Sequence, residues 1–222
     1  MSGVALSLVL FAVVSLSLIL TGILRRPGIG ILISLAAIAG FTWYRRNGLL
    51  YLGFKPQSSW IETVLLALLL GIAIGLLSLF LLEPAIERIT GEPHDYSVVG
   101  EIRGNPAALL KWLFLVWLLV ALVEEIIFRG FLMGELAALL GTSVPAFIAT
   151  LIIASVVFGL AHWYQGPSGA LSATLVGIVI GAIFIISAFN LWLVVLIHGF
   201  IDSVELVLMY ANMDQKVRQI LF

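Results

Sequence analysis

The chain has 222 residues, of which 62% are hydrophobic and only 10% are charged, and its mean hydropathy is +1.21. This composition excludes a water-soluble globular protein. The formal net charge of −1, without a large basic cluster, gives no basis for a nucleic-acid partner. Because the chain has no cysteine, disulfides, thiolate metal sites and a cysteine nucleophile are excluded as well. We therefore expect a protein that lies in the lipid bilayer.

Repeated apolar segments predict helices that cross the membrane, because a hydrocarbon core about 30 Å thick needs about 20 apolar residues per helix. The first two segments are separated by Arg25, Arg26 and a Pro-Gly turn, and a linker containing Leu52-Gly53-Phe54 precedes the third. The predicted spans in this half of the chain cover residues 4–24, 29–44 and 60–82.

The second half of the chain begins with a polar stretch, 83–106, which we predict to be a solvent-side loop or surface helix. The next apolar segment, 109–140, is longer than one span needs and contains Gly130. It predicts a membrane helix with Glu124 and Glu125 deep in its course, then a bend and a shorter interfacial helix. The last three predicted spans cover about 145–161, 171–187 and 191–210.

The predicted fold is all-α, a polytopic transmembrane helical bundle with a polar cavity inside the membrane. We expect about seven spans, or eight if the stretch around Gly130 forms two helices. No internal repeat is visible, so we expect a single domain, 1–222, with its motif-bearing core at about 109–210. The distribution of Lys and Arg among the loops favours a cytosolic C-terminus, and the short, cysteine-free chain suggests a prokaryotic cell membrane.

Three clusters of ionisable residues interrupt the predicted spans. Each such group costs about 2 to 3 kcal/mol or more in hydrocarbon, so we expect them to have a function. In the first cluster, Glu125 and Arg129 are four residues apart on a helix and can form an ion pair. Glu124 points about 100° away without that partner and suits a general base. The alternative is that both acids only pair with basic groups and hold helices together.

The other two clusters contain histidines. His162 lies near the end of a predicted span, one turn after Phe158, at the interface or at the floor of a hydrated cavity. A lone histidine in such a place is more often an anchor than a catalyst. His198 and Asp202 are four residues apart, and a carboxylate one turn away can fix the tautomer of an imidazole. Taken alone, this pair suits a structural hydrogen bond as well as a functional one.

The motifs Glu-Glu-x-x-x-Arg, Phe-x-x-x-His and His-x-x-x-Asn/Asp occur in this order on separate predicted helices. Together they resemble the CAAX protease and bacteriocin-processing family, also called the Abi family, which includes the Ras-converting CAAX endopeptidases. The resemblance extends from residue 109 to about 209. The chain departs from the pattern at Asp202, where the prenyl-processing branch usually has Asn. The matching residues are Glu124, Glu125, Arg129, Phe158, His162, His198 and Asp202.

The resemblance implies a glutamate-dependent intramembrane endopeptidase that uses no metal or other cofactor and acts on a peptide or lipidated-protein substrate. In this family's mechanism Glu124 and His162 would activate a water molecule, while His198 and the residue at 202 would stabilise the oxyanion. Glu125, Arg129 and Phe158 would support them. An ionised Asp202 cannot donate a hydrogen bond, so it would be protonated or would orient His198.

Four alternatives stay open from the sequence. Glu124, His162 and His198 could form a zinc site with two histidines and one carboxylate. The segment Gly166-Pro167-Ser168-Gly169 has the form of a serine protease motif, although such sequences are common in turns. Buried acids and histidines also occur in transporters, but these groups occupy only the C-terminal half. Finally, the chain could be a non-catalytic immunity or regulatory scaffold.

Overall fold

The computed structural model describes residues 3–45 and 48–221, and these ranges are almost entirely helical, without a strand. Seven of the helices are long and apolar enough to cross a membrane. This architecture confirms an all-helical, integral membrane protein with seven spans. The helices are α1 (Gly3–Ile23), α2 (Pro27–Arg45), α3 (Trp60–Thr90), α4 (Pro106–Leu140), α5 (Val144–Ala161), α6 (Gly166–Ile186), α7 (Leu191–Tyr210) and the short α8 (Met213–Leu221).

Helix α3 continues to Thr90, eight residues beyond the predicted end of the third span. The prediction of a solvent-side stretch beginning at residue 83 is therefore wrong for its first residues. A π-helical turn, Ser78–Leu82, precedes Pro84 and accommodates a proline that a regular helix would not tolerate. Glu83 is buried within the bundle, where its carboxylate accepts a hydrogen bond from the Tyr96 hydroxyl.

Helix α4 is continuous for 35 residues, so the predicted interfacial helix is not a separate element. Two segments of this helix are π-helical rather than α-helical, Val116–Val120 and Ile126–Met133. Gly130 lies in the second of them, against the linker after α2: a Cβ atom there would lie 2.9 Å from the carbonyl oxygen of Leu52. The glycine thus permits a close contact with the linker rather than a break in the helix.

The helices approach one another closely at glycines, as is usual in membranes, where small residues let backbones pack. A Cβ atom at Gly71 of α3 would lie 2.9 Å from the carbonyl oxygen of Ile197 in α7. A Cβ atom at Gly22 of α1 would lie only 2.4 Å from the carbonyl oxygen of Ala161, the last residue of α5. The N-terminal hairpin, α1–α2, is thereby fixed against the end of α5.

We expect Gly22→Ala to lower the melting temperature of the purified protein in detergent, although alanine has the higher helix propensity by about 1 kcal/mol. The added methyl group would meet backbone atoms of α5, which cannot rotate away. Gly40→Ala in α2 is the matched control, because nothing lies within 4 Å of the corresponding Cβ position. Equal melting temperatures for the two variants would contradict the tight packing of α1 on α5.

Candidate active site

The structure brings the three ionisable clusters together in one cavity of about 320 Å³. Glu124 comes from the middle of α4, His162 directly follows α5, and His198 and Asp202 lie on α7. All four side chains line the cavity, and Glu124 and His198 are each only 7% exposed. Residues that are far apart in the sequence therefore share a single buried space.

Glu124 faces both histidines. Its Oε2 atom lies 3.7 Å from Nε2 of His162 and 4.0 Å from Nε2 of His198. Neither distance is a direct hydrogen bond. Within the part of the chain that the structure describes, no side chain or backbone group makes a hydrogen bond to Glu124 Oε2, although this atom is buried. The carboxylate thus lies between two imidazole nitrogens without being bonded to either.

The orientation of His162 is fixed by the end of its own helix. Its Nδ1 atom lies 2.8 Å from the carbonyl oxygen of Phe158. Because a carbonyl oxygen only accepts hydrogen bonds, Nδ1 is the donor, and in the neutral ring Nε2 carries a lone pair. The Phe158 ring also packs against the imidazole, with 4.4 Å between the ring centroids. This arrangement directs the basic nitrogen of His162 toward Glu124.

His198 is held by Glu125, which lies on another helix. Its Nδ1 atom lies 2.7 Å from Glu125 Oε1, and the same oxygen accepts a hydrogen bond from Arg129 Nη1 at 2.7 Å. The predicted ion pair between Glu125 and Arg129 is therefore present, fully buried. Arg129 also donates to the carbonyl oxygen of Gly177 and lies over the Phe158 ring. No feature of the sequence indicated the contact between Glu125 and His198.

Asp202 does not make the orienting contact with His198 that its spacing suggested. Its Oδ1 atom lies 3.6 Å from His198 Nε2, the nitrogen that faces Glu124, whereas Glu125 occupies the other nitrogen. One turn of helix brings the carboxylate beside the imidazole, but the helix geometry alone does not select the nitrogen. The Asp202 side chain is also 21% exposed, more than Glu124 or His198. Asp202 thus belongs to the cavity wall around Nε2.

The cavity wall also contains polar groups that none of the three motifs includes, among them Ser78, Glu83 and Glu205. Glu205 had a signal, because it is an acid within a predicted span, three residues after Asp202 on the same helical face. The remainder of the wall is mainly apolar, including Val116, Val120, Phe128, Val176 and Ile180.

The loop between α3 and α4 also contributes to the cavity wall. His94, Asp95 and Tyr96 line the cavity, and the backbone N–H of Asp95 donates to the carbonyl oxygen of Gln165 at 3.0 Å. Hydrogen bonds from the side chain and backbone of Ser97 lower the pKa of Asp95, with a smaller contribution from Arg25. The Asp95 carboxylate and Arg25, in the α1–α2 turn, form an ion pair at 3.2 Å.

The geometry bears on two of the alternatives, the serine protease and the zinc site. The buried hydroxyl of Ser168 bonds to Thr90 Oγ1 and to the carbonyl oxygen of Glu92, and neither partner is a histidine. Ser168 is therefore a residue that joins α6 to the end of α3. Within residues 3–45 and 48–221, no three histidine or acidic side chains are grouped closely enough to hold a metal ion.

Comparison with protein families gave one match, which covers somewhat less than half of the chain. The model described as Type II CAAX prenyl endopeptidase Rce1-like matches residues 106–204, a segment that contains all three motifs. Comparisons with curated proteins and with solved structures gave no match. The match agrees with the resemblance that the motifs indicated. The segment 106–204 of this membrane protein is therefore similar to the Rce1-like family of type II CAAX prenyl endopeptidases.

Proposed function

We propose that this chain is an intramembrane endopeptidase that hydrolyses a peptide bond with a water molecule activated by Glu124 and His162. One observation carries the proposal: the buried, unbonded Oε2 atom of Glu124 lies between the Nε2 atoms of His162 and His198. Separations of 3.7 and 4.0 Å suit a bridging water better than direct contact. Glutamate and imidazole around one water are sufficient for hydrolysis without a covalent intermediate.

In the first step, Glu124 takes a proton from the water as its oxygen bonds to the scissile carbonyl carbon. The lone pair on His162 Nε2 accepts the second hydrogen of the water and so orients it. The tetrahedral intermediate then collapses, the C–N bond breaks, and Glu124 returns the proton to the leaving amine. Glu124 thus serves first as the general base and then as the general acid.

His198 would stabilise the oxyanion. With its Nδ1–H group bonded to Glu125, the ring can donate from Nε2 only as an imidazolium, a cation that the Glu125 carboxylate would balance. Arg129 fixes Glu125 in turn. Glu125 and Arg129 are thus positioning residues, and Asp202 would adjoin the oxyanion at Nε2.

The proposed substrates are prenylated CAAX-type proteins or membrane-associated peptides. Two features support an apolar substrate group: the name of the matching family and the mainly apolar wall of the cavity beyond Glu124. A volume of about 320 Å³ lies at the lower end of the range for small-molecule pockets. If the C-terminus is cytosolic, as the loop charges favour, the end of the bundle with His162 and the loop of Asp95 faces the cytosol.

We expect Glu124→Gln to reduce kcat by about 10²- to 10⁴-fold, the usual contribution of a general base, without changing the melting temperature. The substitution keeps the size of the side chain and removes no hydrogen bond described at Oε2. The assay is cleavage of a panel of prenylated CAAX peptides and membrane-peptide precursors by purified protein in detergent.

Glu125→Gln is the matched comparison, one residue away. It should lower the melting temperature strongly, because removing one charge of a buried pair typically costs about 3 to 5 kcal/mol. A fully active Glu124→Gln enzyme would show that another group is the base. Wild-type protein that is folded but cleaves no member of the panel would favour the non-catalytic scaffold.

Asp202→Asn should retain at least the wild-type kcat, because an amide beside His198 Nε2 can donate a hydrogen bond to the oxyanion and a carboxylate cannot. Asp202→Ala should be about 10- to 100-fold less active, because it removes the carboxylate that lies 3.6 Å from His198 Nε2 and can balance the charge of the proposed imidazolium. The measurement is kcat against pH for both variants on one peptide. If Asp202→Ala matched the wild type throughout, Asp202 would have no part in the reaction.

The zinc-dependent alternative uses the same three residues, although their side chains are not grouped closely enough to hold a metal ion in the described part of the chain. On the glutamate mechanism, activity should survive exhaustive treatment with EDTA or 1,10-phenanthroline, and elemental analysis should find much less than one zinc per chain. Loss of activity on chelation, with recovery on adding one equivalent of zinc, would instead assign Glu124, His162 and His198 as metal ligands.

A further inference from the structure

Five apolar residues of the cavity wall also pack in one hydrophobic cluster, and we call this part of the wall the apolar arm: Leu18, Ile31, Phe128, Val176 and Ile180. The last three residues belong to the segment that matches the family model, whereas Leu18 and Ile31 come from the α1–α2 hairpin, outside it. The space next to the proposed catalytic groups is therefore completed by a part of the chain that the family match does not cover.

We propose that the α1–α2 hairpin sets the size of the apolar substrate group that this enzyme accepts, with Leu18 and Ile31 as the specificity-determining residues. The inference rests on the proposed function, because it concerns a hydrocarbon group carried by the cleaved peptide. The proposed catalytic groups determine which bond is broken. The hairpin limits the length of the hydrocarbon group that can bind beside that bond.

The position of Leu18 supports this role. Leu18 is 3% exposed, whereas Leu16 and Leu20 on the same helix are 57% and 55% exposed and face outward. The side of α1 that carries Leu18 is thus turned into the bundle. Gly22, one turn further on, packs against the carbonyl oxygen of Ala161, the residue before His162. The wall that carries Leu18 is therefore held next to the proposed site.

The hairpin is also a rigid wall. A Cβ atom at Gly30 of α2 would lie 2.1 Å from Thr21 Oγ1 of α1, so the two helices are in close contact. Their turn is tied to the loop over the cavity by the ion pair between Arg25 and Asp95. A wall that packs this closely within the hairpin and on α5 can limit the size of a bound group, because moving it aside would break these contacts.

The part of the cavity wall that α6 contributes has the length and chemistry for a hydrocarbon chain. Ala173, Val176 and Ile180 lie along one face of α6, and the seven residue steps from the first to the last correspond to about 10 Å of helix. These side chains offer no hydrogen bond, so binding there depends on apolar burial. Each additional buried methylene strengthens binding about fourfold, until the wall is reached.

The experiment compares one CAAX peptide carrying either a farnesyl or the longer geranylgeranyl group. Leu18→Ala and Ile31→Ala should each raise the ratio of kcat/KM for the longer over the shorter group by about tenfold, within the range for one or two methylenes in a pocket. Leu18→Phe should lower this ratio. The matched controls are Leu16→Ala and Ile33→Ala, the same changes at neighbouring residues on the outer surface, and these should leave the ratio unchanged.

A binding measurement separates failure of this inference from failure of the proposed function. Equilibrium binding of the same two peptides is measured with Glu124→Gln as the background, so that hydrolysis is not needed. If no variant cleaves any peptide but the binding ratio shifts as expected, the hairpin still selects the group while the protease assignment fails. If both alanine variants fold with the stability of their controls and change neither ratio, the inference is overturned. Should Leu18→Ala fail to fold, Ile31→Ala decides.

Discussion

The packing of the helices around the candidate site depends on the carboxylate of Glu125. One of its oxygens accepts hydrogen bonds from both Arg129 and His198, and the three side chains are almost completely buried. A lone carboxylate or guanidinium would be very unfavourable at this depth, so each charge requires the other. Because Arg129 reaches the carbonyl oxygen of Gly177 and the ring of Phe158, this one cluster joins α4, α5, α6 and α7.

The same cluster explains why Glu124 is available for chemistry. Adjacent residues on a helix point in different directions, so only Glu125 can reach Arg129 in the next turn. Glu124 is left facing the cavity between His162 and His198, whose Nδ1 atoms are occupied by Phe158 and Glu125. Glu125 thus joins the helices, and Glu124, by our proposal, binds the water. On this proposal the motif needs two glutamates, because one side chain cannot perform both tasks.

The sequence could predict the features that depend on local periodicity. Seven spans follow from the length of apolar segments, and the ion pair of Glu125 with Arg129 follows from their spacing on one helix. Contacts between distant segments could not be found in this way. The bond from His198 to Glu125 joins residues 73 positions apart, and the closer carboxylate of Asp202 was the natural choice from sequence.

Other differences between the expected and observed structure have equally local causes. The extension of α3 through Glu83 depends on a π-helical turn before Pro84 and on a hydroxyl donor, Tyr96, from the following loop. The mainly apolar wall of the cavity could not be predicted from the sequence either, because the same aliphatic residue types face the lipid and the cavity. Leu16 and Leu18 illustrate this, since only the packing of α1 distinguishes them.

Nitrogen NMR of the imidazole rings tests the central claim most directly, since the chain has only three histidines. In protein labelled with ¹⁵N-histidine, the account predicts that Nδ1 carries a proton in both rings, as the only ring proton in neutral His162 and, in His198, whether the ring is neutral or cationic. It also predicts that Glu124→Gln shifts the Nε2 resonances of these two rings together. A ring of His162 or His198 protonated only at Nε2, or resonances that do not respond to Glu124→Gln, would contradict the account.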